Sequence, residues 1–205
     1  MAIRLAVPIG EKDARALHIG DQVRLSGVMV TGRDAAHKYM KENFVSGHCP
    51  EGERVLYDVL KQCLAGGAIY HCGPVVRKRE DGEYQFVAAG PTTSIREEPY
   101  EAAVIEHFGV RAIIGKGGMG PKTLEACRKF GAVYLHAIGG AATLIAEAVK
   151  EVLAVYKLDL GVPEAFWHIR VEDFPCVVTM DSHGQSLHEK VDAVSRTRLE
   201  KLLAT

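Results

Sequence analysis

Two glycine-rich turns contain the residues whose types and spacing most clearly suggest chemistry. Residues 90–96 read GPTTSIR, and residues 115–121 read GKGGMGP. Each turn follows an apolar, strand-like run and leads into a helix-like run. Free backbone N–H groups at a helix start, glycines without a Cβ atom and a nearby Lys or Arg together make an anion-binding site. Two such turns in one small chain predict a small ligand with more than one negative charge.

The turn at residues 115–120 also matches G-x-G-x-x-G, the fingerprint of dinucleotide-binding folds. That fingerprint requires an acidic residue about 20 residues later, at the end of the next strand. No Asp or Glu lies between Glu125 and Glu147, and Lys116 is followed by glycine rather than by the Ser or Thr of a phosphate-binding P-loop. A nicotinamide-dependent dehydrogenase is therefore disfavoured. Two interpretations of Lys116 remain: a cation that faces an anionic ligand, or a solvated lysine in a tight turn.

The turn at residues 90–96 adds two hydroxyls and a guanidinium, from Thr92, Thr93 and Arg96. Arg96 falls in the first turn of a predicted helix, where the helix dipole favours an acidic residue. An arginine at such a position suggests a ligand, because a guanidinium can hold a carboxylate through two parallel hydrogen bonds. The alternative is that the threonine hydroxyls only cap the helix.

A third candidate segment, residues 31–37, reads TGRDAAH. Arg33 and His37 are four residues apart and therefore lie on one face of the predicted helix. Asp34 stabilises the start of that helix, and His37 is either a structural histidine or an acid–base group. The segment adds a second arginine and a titratable ring to the candidate site.

The composition is that of a globular protein with a substantial apolar core. Of the 205 residues, 47% are hydrophobic and 25% are charged, which fits a single domain over residues 1–205. A formal net charge of −1 provides no basic field for nucleic acid or for an anionic membrane. No apolar run approaches the roughly 20 residues of a membrane span. The N-terminus shows no secretory signal, so we expect a cytoplasmic location.

The cysteines are widely spaced and include no Cys-x-x-Cys pair. They are Cys49, Cys63, Cys72, Cys127 and Cys176. The odd number and the spacing argue against a disulfide framework and against a metal site built by this chain alone. We therefore predict reduced thiols, most of them in or near the core.

Hydrophobic periodicity predicts a chain of strands and helices. The predicted strands cover residues 2–7, 22–30, 68–72, 84–89, 110–114, 132–138, 167–171 and 177–180. The predicted helices cover residues 34–41, 53–64, 99–108, 121–130, 141–152 and 186–203, with a loop at 43–52 and a charged hairpin tip at 77–82. A strand-rich first part followed by alternating helices and strands predicts an α/β fold with a mixed sheet and flanking helices.

Five motifs, in this order along the chain, resemble one protein family. They lie at residues 26–37, 90–96, 115–120, 134–142 and 174–184. The chain is similar to the beta subunit of class I iron–sulfur fumarate hydratase, which corresponds to the C-terminal domain of the single-chain enzymes. It is also similar to the related beta subunit of L(+)-tartrate dehydratase. Gly32 stands where alanine is common in the family, and residues 52–64 are more helical than the family pattern leads us to expect.

The resemblance implies a swivelling β/β/α-type domain that takes part in the reversible hydration of fumarate to malate. It also implies a 4Fe–4S cluster held by the cysteines of a partner alpha subunit, with no metal ligand in this chain. The expected assembly is therefore a hetero-oligomer.

The resemblance also assigns roles to residues of this chain. It implies that Thr92 is the catalytic base and that His37 is a second acid–base candidate. A threonine hydroxyl accepts a proton only if neighbouring cations lower its pKa. The residues implied to hold a small dicarboxylate are Arg33, Thr92, Thr93, Arg96 and Lys116.

Two other functions remain open. The first is the tartrate dehydratase of the same family, which converts tartrate to oxaloacetate; residues 138–142, IGGAA, are closer to the fumarate hydratase pattern. The second is a non-catalytic anion-binding or regulatory module. The joint presence of Thr92, Arg96 and Lys116 counts against such a module.

Overall fold

The computed structural model describes residues 2–204. Its strands are β1 (Ile3–Val7), β2 (Gln22–Thr31), β3 (Ala68–Tyr70), β4 (Val75–Lys78), β5 (Tyr84–Ala88), β6 (Ala112–Gly115), β7 (Val133–His136), β8 (Val149–Tyr156) and β9 (Phe166–Met180). Its helices are α1 (Glu11–Arg15), α2 (Asp34–Met40), α3 (Arg54–Leu64), α4 (Glu98–Phe108), α5 (Pro121–Phe130), α6 (Ala142–Ala146) and α7 (Leu187–Leu203). A π-helical turn at Lys41–Val45 continues α2, and a 3-10 turn at Ser94–Glu97 leads into α4.

Seven strands form one mixed sheet in the order β1-β2-β3-β6-β7-β9-β8. The first five strands in this order are parallel to one another, whereas β9 runs antiparallel to β7 and to β8. Strand β9 also pairs antiparallel with β2, between residues as distant in sequence as Gln22 and Val177. The pairings therefore close a ring of β2, β3, β6, β7 and β9, and the hairpin β4–β5 stands apart from the sheet. The prediction of an α/β fold with a mixed sheet and flanking helices is confirmed.

Apolar side chains cover both faces of the parallel strands, as is usual for parallel sheets. Every residue of β3 and β6 is buried. One core cluster contains Trp167 together with Tyr70 and Phe174, whose rings meet edge to face 5.1 Å apart. The second cluster lies against the helices and contains Leu60 and Phe108. The two clusters fix the positions at which the parallel strands end.

One predicted helix, at residues 141–152, is wrong. Helix α6 covers only Ala142–Ala146, and β8 follows at Val149–Tyr156. Val149 and Val152 have a spacing that suits a helix, but they also pair with Val171 and Ile169 on β9. This pairing is formed by a distant part of the chain, so the local spacing could not reveal it.

Other elements confirm or extend the predictions. The strands predicted at residues 167–171 and 177–180 are one continuous strand, β9, in which Pro175 lies opposite Arg24 of β2. The loop predicted at residues 43–52 begins inside the π-helical turn. The terminal helix is confirmed: the Ser186 hydroxyl caps α7 by accepting a hydrogen bond from the Glu189 N–H at 3.3 Å. Helix α1 and strand β4 were not predicted.

No helix within residues 2–204 has both the length and the apolar character that crossing a membrane requires.

Candidate active site

Backbone hydrogen bonds join the two glycine-rich turns. The Lys116 N–H donates to the Thr92 carbonyl at 3.1 Å, and the Ser94 N–H donates to the Lys116 carbonyl at 3.0 Å. The Thr92 N–H in turn donates to the carbonyl of His71, the residue after β3, at 2.6 Å. The structure therefore brings Thr92, Thr93 and Lys116 together. Their positions in two separate sequence motifs did not by themselves imply this contact.

The third segment reaches the same edge of the sheet. Arg33 follows the end of β2, His71 follows β3 and Lys116 follows β6. These strands are parallel, so their carboxyl ends share one edge, which is where open α/β sheets bind ligands. Asp34 forms an ion pair with Arg96, which ties residues 31–37 to residues 90–96.

Both arginines of the candidate site contact carboxylates of this chain. Arg96 pairs with Asp34, and its side chain is 56% exposed. The Arg33 Nε lies 3.2 Å from a carboxylate oxygen of Glu164. A Cβ atom at position 73 would lie 2.4 Å from the Arg33 guanidinium, so Gly73 leaves the room that this side chain occupies. The arginines are thus held in defined positions while they remain near the surface.

The turn at residues 115–121 differs from the prediction in one respect. Gly117 and Gly118 have φ angles of 82° and 78°, which glycine adopts readily. The Glu98 carboxylate of α4 accepts hydrogen bonds from the Gly120 N–H at 2.8 Å and from the Lys122 N–H at 2.9 Å. The amide groups at the start of α5 are therefore occupied by a carboxylate of this chain and are not free for a ligand, contrary to the expectation. What this turn offers a ligand is the Lys116 ammonium group.

The start of α4 also differs from the prediction. Arg96 lies in the 3-10 turn Ser94–Glu97, and α4 begins only at Glu98. Thr93 precedes that turn, but its side chain makes no capping hydrogen bond. Thr92 lies one residue further from the turn. The capping interpretation of the two threonines therefore has no support in this geometry.

A group of buried polar side chains lies beneath the turns. Each member is 0% exposed; the members are His37, His71, Ser94, Glu97, Glu101 and Tyr134. Only His37 was singled out from the sequence. A signal for the acids was present, because Glu97 and Glu101 share the helical face of Val104 and Phe108, where apolar residues are expected. His71, within an apolar strand run, gave a weaker signal.

The buried histidines differ in charge. Burial alone would raise the pKa of Glu101, but His37 and His71 outweigh burial and lower it to about 2. Burial opposes a charge on His37, whereas the Glu101 carboxylate raises the pKa of His37 above its ordinary value. Burial lowers the pKa of His71. These shifts favour an ionised Glu101 and a proton on His37, and they disfavour a charge on His71.

Glu97 carries a proton at neutral pH. Burial and a hydrogen bond with the Asp34 carboxylate raise the pKa of Glu97 to about 8, and the charge of His37 opposes this only in part. One proton shared between Asp34 and Glu97 leaves a single negative charge beside Arg96. The charge on Arg96 is therefore balanced by one acid and not by two.

We expect Glu97→Gln to stabilise the protein at alkaline pH. Between the ordinary value of 4.5 and about 8, the folded chain holds a proton on Glu97 that the unfolded chain has lost. Stability therefore falls as the pH rises through this window. The variant should raise the free energy of unfolding at pH 8.5 by up to roughly 5 kcal/mol, the equivalent of a pKa raised from 4.5 to about 8, with little difference near pH 4.5. Urea unfolding over a pH series measures this effect, with the exposed Glu106→Gln as control; a difference independent of pH would contradict it.

Within residues 2–204, one group of side chains has metal-like spacing. The ligand atoms of His37, His71 and Glu101 lie within 4.8 Å of one another. The two Nε2 atoms lie 2.9 Å and 3.0 Å from the same Glu101 oxygen. A proton between the His71 Nε2 and that oxygen, and charge attraction between His37 and Glu101, account for these distances without an ion.

The cysteines do not form a cluster site in the described part of the chain. All five are free thiols, as predicted, and no three of them lie together at the spacing of metal ligands within residues 2–204. Burial raises the pKa values of Cys72 and Cys176 to about 12, which keeps both thiols protonated. The thiols of this chain therefore do not fit an iron–sulfur cluster.

Comparison with known proteins relates this geometry to a family. Residues 1–191 match the family described as the fumarase C-terminus. The chain is 50% identical over 200 residues to a Geobacillus stearothermophilus protein whose name assigns it to class I fumarate hydratase. That match covers 98% of this chain but 35% of the relative, so the chain spans about a third of that protein's length.

Two further relatives match over most of their own length. The L(+)-tartrate dehydratase subunit beta of Escherichia coli K12 is 40% identical over 184 residues, which are 89% of this chain and 85% of the relative. A Methanocaldococcus jannaschii protein whose name assigns it to the same kind of subunit is 40% identical over 195 residues, 94% of each chain. The chain belongs to the fumarase C-terminus family.

Proposed function

We propose that this chain is the beta subunit of a hydro-lyase that interconverts fumarate and (S)-malate together with a partner alpha subunit. The observation that carries the proposal is the meeting of Thr92, Arg96 and Lys116 at the carboxyl edge of the parallel strands, with Arg33 beside them. Family membership and the names of the relatives support it. A relative named as a beta subunit supports the existence of an alpha subunit.

The side chains suit a small dicarboxylate. Three cations, from Arg33, Arg96 and Lys116, face a ligand with two negative charges. Removal of a proton next to a carboxylate builds further negative charge, which fixed cations stabilise. Thr92, whose backbone is hydrogen-bonded directly to Lys116, is the proposed proton acceptor. The cations of Lys116 and Arg96, which lie at the same edge of the sheet, would lower the pKa of its hydroxyl.

Carboxylates of this chain occupy the arginines before substrate arrives. Asp34 pairs with Arg96 and Glu164 pairs with Arg33. A dicarboxylate substrate would compete with these acids or share the arginines with them. The ion pairs keep the guanidinium groups in place, which is the usual benefit of a preorganised site. Competition with these pairs would lower substrate affinity by a small amount.

The cluster is proposed to belong to the partner subunit. The thiols of this chain are scattered and several are deeply buried, so none of them is assigned to it. A cluster on the alpha subunit would supply a Lewis acid for the hydroxyl that leaves or adds. The role of this chain is then to bind the carboxylates and to move the proton.

Tartrate is the second candidate substrate. The specific observation in its favour is that separate beta subunits named for tartrate dehydratase match this chain over 85% and 94% of their length. The higher identity of 50% to the relative named for fumarate hydratase favours fumarate. Both substrates are dicarboxylates with a removable hydroxyl or its alkene equivalent, so the same side chains would serve either.

The test of the proposed function is reconstitution. We expect the isolated chain to bind no cluster and to show no turnover, because it has cations but no Lewis acid. Anaerobic co-expression with the alpha subunit from a neighbouring reading frame should give a complex that hydrates fumarate or dehydrates tartrate. Parallel assays with both substrates decide between them. A visible-absorbing cluster with turnover in the isolated chain would contradict the division of roles.

A further inference from the structure

The buried polar side chains form a continuous path from β7 through the turn at residues 90–96 to α2. In order along the path, the members are Tyr134, Ser94, His71, Glu101 and His37, and we name them the buried network. The Tyr134 hydroxyl donates to the Ser94 Oγ at 2.9 Å. The Ser94 Oγ lies 2.8 Å from the His71 Nδ1, and the His71 Nε2 lies 3.0 Å from the Glu101 Oε2. His37 completes the path at 2.9 Å from the same oxygen.

The proton positions in the buried network follow from its donors and acceptors. The Glu101 carboxylate can only accept, so the His71 Nε2 carries a proton and donates to it. Burial lowers the pKa of His71 and disfavours a second proton on the ring. The Nδ1 therefore accepts from the Ser94 hydroxyl, which in turn accepts from Tyr134. Each group then satisfies its neighbours, which stiffens the path.

His37 forms an ion pair with Glu101. Its Nδ1 lies 2.9 Å from the backbone carbonyl of Arg33, which can only accept, so this nitrogen bears a proton. Its Nε2 lies 2.9 Å from the Glu101 carboxylate but makes no hydrogen bond. The negative charge of Glu101, and not a shared proton, is therefore what favours a second proton on the ring.

The buried network is attached to the backbone on which the candidate base stands. The His71 carbonyl accepts from the Thr92 N–H at 2.6 Å, and the Ser94 N–H donates to the Lys116 carbonyl at 3.0 Å. A Cβ atom at Gly115 would lie 1.8 Å from the Ser94 Oγ, so only glycine leaves room for the network there.

We propose that the buried network positions Thr92 and Lys116, and that the ion pair of His37 with Glu101 holds it in place. Its members are fully buried and contact no surface from which a substrate could be reached. They are therefore positioning residues, and His37 acts through Arg33 and Glu101 rather than on the substrate. The catalytic consequence of this inference rests on the proposed function. The arrangement of protons in the buried network does not depend on that function.

The test uses Glu101→Gln, which keeps the shape of the side chain and removes its charge. Both Nε2 atoms contact the same oxygen of Glu101, so a glutamine carbonyl at that position can still accept from His71 but offers no negative charge to His37, which should become neutral. Nitrogen-15 spectra of the histidine rings in the full chain at pH 7 report this change. Wild type should show a doubly protonated His37 ring and a neutral His71 that keeps its Nε2–H form from pH 6 to pH 8.

Two further readouts separate positioning from packing. In Glu101→Gln, amide hydrogen exchange should accelerate at Thr92 and Ser94 but not at Ile105, which lies within α4. In the assembled enzyme, kcat should fall roughly tenfold while KM stays nearly unchanged. A tenfold loss is the lower end of the range expected when a residue that positions a catalytic group is removed. The matched control is Glu106→Gln, which removes an exposed acid on the same helix.

The results that would overturn this inference differ from the results that would overturn the proposed function. A neutral His37 in wild type, a metal ion bound to its Nε2, or exchange rates in Glu101→Gln equal to those of the control would overturn the inference. If Glu101→Gln does not fold, Tyr134→Phe removes the hydroxyl at the other end of the path and should accelerate amide exchange at Ser94 and Thr92; rates equal to wild type would overturn it. If the assembled complex converts no dicarboxylate, the proposed function fails while the spectra and the exchange rates still decide this inference.

Discussion

Replacement of Thr92 by valine should lower kcat by about 10²–10⁴-fold, the usual contribution of a positioned base. Valine keeps the shape of threonine but lacks the oxygen that would take the proton. The backbone of Thr92 is hydrogen-bonded to His71 and Lys116, and valine retains both contacts. Stability, assembly and KM should therefore stay close to wild type.

Turnover of malate and fumarate in the reconstituted complex, together with thermal unfolding of the chain, measures the effect of Thr92→Val. A suitable control is Thr197→Val, at an exposed site on α7. If Thr92 served only as a cap, its loss would cost roughly 1 kcal/mol of stability and leave kcat intact. That result would remove Thr92 from the chemistry.

Arg96→Lys should lower kcat/KM by an amount that corresponds to about 1.5–3 kcal/mol, the range for hydrogen bonds to charged groups. Lysine keeps the charge and can still pair with Asp34. It lacks the planar fork with which arginine holds a carboxylate through two bonds. The variant should therefore fold normally and lose both substrate affinity and correct orientation.

A second arginine provides the control for Arg96→Lys. Arg128 holds the Glu125 carboxylate with two hydrogen bonds, of 3.0 Å and 2.9 Å, on the exposed face of α5. Arg128→Lys removes the same kind of contact away from the site and should leave steady-state kinetics unchanged. Kinetics of Arg96→Lys that match those of Arg128→Lys would take Arg96 out of the substrate site.

Local signals in the sequence were sufficient for elements that depend on nearby residues. Strands β3 and β6 could be predicted from continuous apolar runs, because these strands are buried on both faces. The helix at residues 141–152 failed because its spacing suits both a helix and a strand, and the choice is made by β9. Whether β9 is one strand or two likewise depends on its partner β2.

Local sequence signals likewise revealed one part of the candidate site and missed another. Glycine-rich turns identified Thr92 and Lys116, because a backbone that approaches a ligand closely usually requires glycines, which are visible in the local sequence. The Glu98 carboxylate at the start of α5 could not be foreseen, since it comes from another helix. The partners of the buried polar residues Glu101 and His71 come from separate elements that only the fold brings together.

The ring of strands imposes an order on folding. Its closing contact joins β2, near the start of the chain, to β9, near its end, between residues such as Gln22 and Val177. Contacts so distant in sequence slow folding, because a long loop must close before they can form. During synthesis, the N-terminal strands leave the ribosome before their last neighbour exists, so β2 keeps an open edge until residues 166–180 emerge. Nascent chains are therefore most prone to aggregate in the interval before β9 is made.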